Sequence, residues 1–338
     1  MNIKPTVAVT MGDPCGIGPE VLAKALSNPT ILQSCCPLVI GNITILKEAL
    51  KNIGSLIELQ LITGSSIPEL NEHTIPILDS DNLDLNAITP GMISAIAGRA
   101  SMEWVLQAAK LCIDGSVAAM VTSPINKEAT QMAGYKDIGH QETLKRLTGA
   151  LNVATMLISG TLRVVHLTTH KSLREACDAV THVNVLEKIL LTDKEFRRWG
   201  FDNPKIGVAA LNPHASDGGL IGDEEETEIA PAVMEAKEEG IKVDGPIPAD
   251  IVFHQAIEGK FDVILAMYHD QGHIPVKVYG FEQSISVNLG LPIIRTSVDH
   301  GTAFDIAGRG IANSLSMEEA ILLASSLASG HAKLQSNL

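Results

Sequence analysis

His269, Asp270 and His273 stand together in the stretch Phe261 to Lys277, which reads Phe-Asp-Val-Ile-Leu-Ala-Met-Tyr-His-Asp-Gln-Gly-His-Ile-Pro-Val-Lys. Two imidazoles and a carboxylate at this spacing can ligate a metal, carry charge or move a proton. Val263 to Met267, just before them, is a continuous apolar run of the length of a buried strand. In parallel α/β sheets ligands bind beyond the carboxyl ends of the strands, which is where this cluster is expected. Two further apolar segments end the same way: Leu162 to Thr169 runs into His170, and Ile206 to Asn212 runs into Pro213-His214.

A lone histidine after a strand is usually a satisfied polar residue. His170, His214 and His269, however, share one context, an apolar segment followed by a histidine in a turn-forming loop. Three imidazoles with an open position suit Zn²⁺ or a similar divalent ion acting as a Lewis acid. Asp270 is placed to orient a ligand or act as a base. His273 fits this set less well, and His166, inside a strand, reads as structural.

A second group of residues suits an anion. Lys277 follows the histidine cluster, Arg295 closes the apolar segment Leu291 to Ile294, and His140 opens a helix in Gly139-His140-Gln141-Glu142-Thr143. Together they can offset two acidic groups on a substrate, such as a carboxylate and a phosphate. Two glycine-rich stretches add a place for a flat ligand. Gly12 to Glu20, between a strand and a helix, offers bare backbone N–H groups for an anion, or is a tight turn that needs glycine. Asp299 to Asn313 can wrap closely around a nucleotide, with Asp305 accepting hydrogen bonds from ribose hydroxyls.

Strands that end at these groups must alternate with helices. Strands are expected over Thr6 to Met11, Pro37 to Ile40, Glu58 to Ile62 and Val117 to Thr122. A helix begins near Thr44, and Thr89-Pro90-Gly91 opens a long one whose core-facing stripe is Met102, Val105, Leu106, Ala109, Cys112 and Ile113. The alternation predicts an α/β fold with mostly parallel sheets and right-handed crossovers. The acidic run Asp223 to Glu228 reads as a capped, solvated helix start, and Ser316-Met317-Glu318-Glu319 as the capping box of the last helix.

At 338 residues the chain has room for one large or two medium domains, and 45% hydrophobic residues favour a packed core. A net charge of -14 with 3% aromatic residues disfavours nucleic acid and anionic membrane as partners. The first residues lack a signal-peptide h-region, and no apolar run reaches the ~18 residues needed to span a bilayer, so a cytoplasmic protein is expected. The five cysteines lack CxxC spacing and read as reduced thiols.

Taken together, Met11 to Glu20 (Met-Gly-Asp-Pro-Cys-Gly-Ile-Gly-Pro-Glu), Pro124 to Lys127 (Pro-Ile-Asn-Lys), Leu211 to Ala215 (Leu-Asn-Pro-His-Ala), Tyr268 to Gly272 (Tyr-His-Asp-Gln-Gly) and Ile294 to Ala303 (Ile-Arg-Thr-Ser-Val-Asp-His-Gly-Thr-Ala) resemble the 4-hydroxythreonine-4-phosphate dehydrogenase (PdxA) family. The resemblance runs over nearly the whole chain. Gly12 to Glu20 and His300 to Asn313 also resemble the wider isopropylmalate and isocitrate dehydrogenases. It implies their two-domain α/β fold, with an active site in the interdomain cleft, completed across a homodimer. Residues 1–125 and 285–338 would form the domain with the cofactor loop, and 126–284 the domain of the metal ligands and dimerisation. By the same resemblance His170, His214 and His269 are metal ligands, and His140, Gln141, Lys277, Ser286 and Arg295 contact substrate. Asp250 and Asp270 lie near the metal and, with Lys277, are the catalytic candidates. Gly12, Gly16, Gly301, Asp305 and Asn313 are the expected cofactor contacts. NAD or NADP is implied, with one divalent ion, Zn or else Mg, Co or Mn.

The activity implied is oxidation and decarboxylation of 4-phospho-hydroxy-L-threonine to 3-amino-2-oxopropyl phosphate and CO2, a step of pyridoxal phosphate biosynthesis. Three positions depart from the family pattern: Gln141 stands where threonine is common, Ser286 where asparagine is common, and Gly272 to Pro275 reads Gly-His-Ile-Pro. These fit a branch acting on D-threonate or D-erythronate 4-phosphate and releasing dihydroxyacetone phosphate and CO2. A phosphate acyltransferase, similar in fold, needs no three-histidine centre. A non-catalytic metal-binding protein would leave the glycine-rich loop idle.

Overall fold

The computed structural model describes residues 4–63, 74–137 and 139–330. The chain divides into two compact units, one taking the chain up to Leu151 and again over Leu291–Ser329, the other Asn152–Gly290. The first contains β1 (Thr6–Thr10), α1 (Gly18–Leu26), α2 (Pro29–Ser34), β2 (Cys36–Ile40), α3 (Ile43–Asn52), β3 (Glu58–Leu61), β4 (Thr74–Leu78), α4 (Ala95–Ile113), β5 (Ala119–Thr122), α5 (Lys127–Met132) and α6 (His140–Thr148). The second contains β6 (Ala154–Ser159), β7 (Leu162–His166), α7 (Leu173–Asp178), α8 (His182–Arg198), β8 (Ile206–Ala209), α9 (Ala230–Glu238), β9 (Val243–Ile247), α10 (Ala249–Ile257), β10 (Val263–Ala266), α11 (His269–Tyr279) and β11 (Ile285–Leu289). The chain then returns to the first unit with β12 (Arg295–Val298) and α12 (Leu315–Ala328).

The first unit is built on parallel strands in the order β3-β4-β2-β1-β5-β12. Strands covered on both faces need continuous apolar runs, and Val7, Ala8, Val9, Met120 and Val121 are fully buried. Residues 126–151, expected in the second domain, belong here, because α5 and α6 pack on α4. In the second unit the order is β11-β6-β7-β10-β8-β9. There β6 is antiparallel to both neighbours, and β7, β10, β8 and β9 are mutually parallel. The α/β class with mostly parallel sheets is therefore as expected. No helix among the described residues is long and apolar enough to cross a membrane.

Several local expectations are corrected. The helix α4 starts at Ala95, where the Ser94 hydroxyl accepts the Ala97 N–H, and Thr89-Pro90-Gly91 lies before it. Of its expected stripe Met102, Val105 and Ala109 are buried, Leu106 and Cys112 half-buried and Ile113 exposed, while Ala97, Trp104, Ala108 and Leu111 join the buried face. Ser316 is not the N-cap: α12 begins at Leu315 after Ser314, and Ser316 is buried with its hydroxyl accepting the Asp299 N–H. Arg295 follows the apolar segment Leu291 to Ile294 as expected and opens β12. The acidic run is only partly solvated, because Glu225 is buried in a π-helical turn, Glu225–Ile229.

Candidate active site

In the second unit three adjacent parallel strands deliver the three histidines. His170 lies just beyond β7, His269 just beyond β10 and His214 just beyond β8. Parallel strands end on the same edge of a sheet, so all three arrive at the carboxyl edge where α/β proteins bind ligands. Asp250 follows β9 at that edge, exposed at the start of α10. The helix α11 is anchored by Val276, in a core shared with Leu162, Val164, Phe253, Phe261 and Ile264, and this seats His269 at its first turn.

His269 Nδ1 lies 2.7 Å from Asp270 Oδ1. A carboxylate on Nδ1 holds the proton there and leaves the Nε2 lone pair for a ligand. The His269 ring stacks on His273 with centroids 3.5 Å apart, and the His170 ring is 6.3 Å away. His273 in turn packs at 4.5 Å from His166. His166 is buried, with Nδ1 3.4 Å from the Thr155 carbonyl and Nε2 without a hydrogen-bond partner. Burial first, and the neighbouring His273 second, push its pKa down to about 3, so it is a neutral core residue, as its position in a strand suggested.

His214 sits in an unusual turn. His214, Ala215, Ser216 and Asp217 all have left-handed backbone, with φ of 54°, 54°, 66° and 46°. Such residues cost about 1–3 kcal/mol each and persist only where their surroundings hold them. Here the holder is Glu225, whose Oε1 accepts the N–H groups of Leu211 and Asn212 at 2.8 and 2.7 Å. The Asn212 side chain donates to Glu225 Oε2 at 2.8 Å and to Glu224 Oε2 at 2.6 Å. Sequence reasoning missed this role, since a carboxylate in an acidic run gives no local sign of a partner thirteen residues earlier.

The donor set fits a divalent ion: three imidazoles from neighbouring strand ends, one oriented by a carboxylate. Among the described residues no group of three His, Cys, Asp or Glu side chains is drawn close enough to hold a metal ion. His170 and His269 are brought together, and His214 and Asp250 lie farther along the same edge. Lys277, on α11, has its Nζ 5.1 Å from the Phe281 ring centroid. Ser286, on β11, is half-buried opposite Leu157.

In the first unit His140 opens α6, whose N-cap Gly139 has no side chain with which to cap the helix start. Gln141 follows, half-buried. Arg295 is buried and donates from Nε and Nη2 to the Thr122 hydroxyl at 3.1 and 2.6 Å. Burial lowers its pKa to about 9, against the opposing pull of Glu142. Burial, then the charges of Arg295 and Lys127, hold His140 well below its usual pKa, and its Nε2 has no partner. A helix N-terminus beside mutually repelling cations is relieved by an anion. Lys127 was the residue not singled out; its only sequence signal was its place in the Pro-Ile-Asn-Lys motif.

The first glycine-rich turn is packed rather than open. A Cβ on Gly12 (φ +75°) would lie 2.5 Å from the Pro124 carbonyl oxygen, and one on Gly16 2.7 Å from that of Thr302. The N–H groups of Asp13, Cys15, Gly16 and Ile17 already donate to Pro124 O, Asp13 Oδ1, Asp13 O and Thr302 O. The turn is thus no ready anion cradle; glycine serves close approach. Beside it is a cavity of about 290 Å³, lined by Gly16, Pro19, Glu20, Ile45, Pro90 and Gly308 among others. Gly301 and Asp305 are exposed on the adjoining loop, and Asn313 Oδ1 accepts the Leu315 N–H to open α12. Glycine walls that let a ligand approach closely fit a dinucleotide, though Asp305 and Asn313 do not line this cavity.

Residues 33–324 match the profile of the family described as pyridoxal phosphate biosynthetic protein PdxA. A relative from Symbiobacterium thermophilum, named "Putative D-threonate 4-phosphate dehydrogenase", is 43% identical over 95% of this chain and 96% of its own length. A Geobacter metallireducens protein named 4-hydroxythreonine-4-phosphate dehydrogenase is 42% identical over 97% of this chain and 96% of its own. The crystal structure of 4-hydroxythreonine-4-phosphate dehydrogenase from Klebsiella pneumoniae superposes with a TM-score of 0.89 at 42% identity, covering 97% of this chain and 100% of that one.

Proposed function

The chain belongs to the pyridoxal phosphate biosynthetic protein PdxA family and is an oxidoreductase, and from that premise we propose a metal-dependent, NAD(P)-linked oxidation and decarboxylation of a 4-phosphorylated 3-hydroxy acid. The observation that carries the metal dependence is the delivery of His170, His269 and His214 by three adjacent parallel strands.

His170, His214 and His269 would hold the divalent ion, which would supply Lewis acidity at the substrate's C3 hydroxyl, and NAD(P) would serve as the hydride acceptor. Asp270 keeps His269 in the ligating tautomer through the Nδ1 contact. Asp250 and Asp270 are the exposed carboxylates at the same edge able to take the hydroxyl proton. Oxidation at C3 gives a β-keto acid, which loses CO2. Arg295, with neutral His140 and the start of α6, binds the phosphate, and Lys127 adds charge nearby. Lys277, Gln141 and Ser286 complete substrate recognition. Gly16 and the 301–313 stretch receive the dinucleotide, and a homodimer is the assembly implied by the family resemblance.

The substrate proposed is 4-phospho-hydroxy-L-threonine. The second reading, D-threonate or D-erythronate 4-phosphate, is favoured by Gln141 and Ser286, which replace the common threonine and asparagine. The test is NADH or NADPH formation by zinc-loaded protein with the three phosphates in parallel and a His214→Ala control. Turnover of the amino substrate supports the first reading, turnover of only the aldonate phosphates the second. Activity that survives chelation would overturn the metal dependence.

A further inference from the structure

Loop 307–312 has little of its own to hold it. Gly308 and Gly310 are left-handed (φ +73° and +72°) with open space where a Cβ would lie, and Gly308 to Ile311 are exposed. The loop is gripped from α1 instead. Glu20 Oε2 accepts the Gly310 N–H at 3.1 Å and Oε1 the Ala312 N–H at 2.7 Å. Lys24 Nζ donates to the carbonyls of the same two residues at 3.0 and 2.6 Å, and pairs with Glu20 at 3.0 Å. One carboxylate and one ammonium, a helical turn apart, thus satisfy both backbone groups of Gly310 and of Ala312. Charge-assisted bonds of this kind are the strong ones, and a carboxylate in the first turn of α1 agrees with the helix dipole. The Ile17 N–H adds a second tie, to the Thr302 carbonyl at 2.9 Å. Gly16, Pro19 and Glu20 form one wall of the 290 Å³ cavity, and Ala307, Gly308 and Gly310 another.

We propose that Glu20 and Lys24 are positioning residues that hold loop 307–312 in its dinucleotide-binding shape, an inference that rests on the cofactor reading above. The pair sets the distance between the two glycine-rich motifs, so cofactor affinity depends on a helix whose own residues perform no chemistry. The two side chains are separable by substitution. Glu20→Gln keeps one acceptor and loses the other, together with the Lys24 pair. Lys24→Met leaves the carboxylate at the cavity wall but releases both loop carbonyls, so it reads the loop and not direct contact with ligand. Lys24→Arg retains donors for both carbonyls.

The experiment is calorimetric titration of full-length, zinc-loaded protein with NAD⁺ and NADP⁺, alongside zinc affinity and KM for the phosphorylated substrate. Expected is a loss of dinucleotide affinity of about tenfold or more in Glu20→Gln and Lys24→Met, with Lys24→Arg near wild type. Zinc affinity and substrate KM should stay within about twofold. Unchanged dinucleotide affinity in both variants overturns the clamp and leaves the cofactor reading standing. A wild-type protein that binds neither dinucleotide removes the cofactor reading and the clamp with it. A parallel loss of zinc, substrate and dinucleotide affinity shows a general structural role and also overturns it.

Discussion

The carboxylate of Glu225, 3% exposed, accepts the backbone N–H of Asn212 at 2.7 Å and so ties the acidic run to the turn that carries His214. Glu225→Ala leaves the Leu211 and Asn212 N–H groups without their acceptor, at about 1–3 kcal/mol for each buried donor left unmade. The left-handed turn then loses its restraint. Zinc affinity, measured by chelator competition, should fall about 10- to 100-fold, the usual cost of losing an outer-shell partner. Unaltered zinc binding in this variant would separate the turn from the metal site.

Asp13 is fully buried, with Oδ1 accepting the Cys15 N–H at 2.9 Å and Oδ2 unpartnered. Burial raises its pKa to about 6 from 3.8. Between those values the folded state binds more protons than the unfolded one, so stability falls as pH rises from 3.8 to 6 and stays lowered above. Asp13→Asn should therefore stabilise the protein at pH 7.5, by at most about 3 kcal/mol at 1.36 kcal/mol per pKa unit, and should make little difference near pH 4. Denaturant melts at the two pH values check the sign; a destabilised variant at pH 7.5 would refute it.

Burial pushes the pKa of Arg295 down, but a guanidinium keeps its proton across the working pH range, so the side chain stays cationic. Substrate phosphate is a dianion above its second pKa of about 6. KM for the phosphorylated substrate should thus fall as pH rises through about 6 and stay low above it, with kcat less affected. Arg295→Lys, which lacks the fork that spans the Thr122 hydroxyl, should raise KM about tenfold or more at pH 7.5. An unchanged KM in this variant would take Arg295 out of phosphate recognition.

Gln141 and Ser286 are the two substitutions at expected substrate contacts. Restoring the common residues in Gln141→Thr with Ser286→Asn should shift the ratio of kcat/KM values toward the amino substrate by about tenfold or more, the scale set by polar recognition. An unchanged ratio would place the C2 discrimination elsewhere, with His273 and Ile274 the next positions to exchange.

Much of the frame was legible along the chain. Strands β1, β2, β5, β7, β8 and β10 are apolar runs with a local signature, and the arrival of His170, His214 and His269 at strand ends follows from where those runs stop. Helix starts were less secure. Ser94 outcompeted Thr89-Pro90-Gly91, and Ser314 outcompeted Ser316, because buried contacts decide which of several nearby polar residues is free to sit at a helix end.

The sequence by itself determined the α/β alternation, the histidines at strand ends and the small residues of the two glycine-rich stretches, since each depends on neighbours a few positions away. Only the tertiary structure decided the strand order that makes β7, β10 and β8 adjacent, and so brings three scattered histidines to one edge. It also decided the duties of the buried acids. Glu225 holds the His214 turn, Asp13 keeps one oxygen unpartnered, and Glu20 grips a loop 290 residues away. A carboxylate's role is set by the donors around it, and chain folding, not local composition, brings those donors to it.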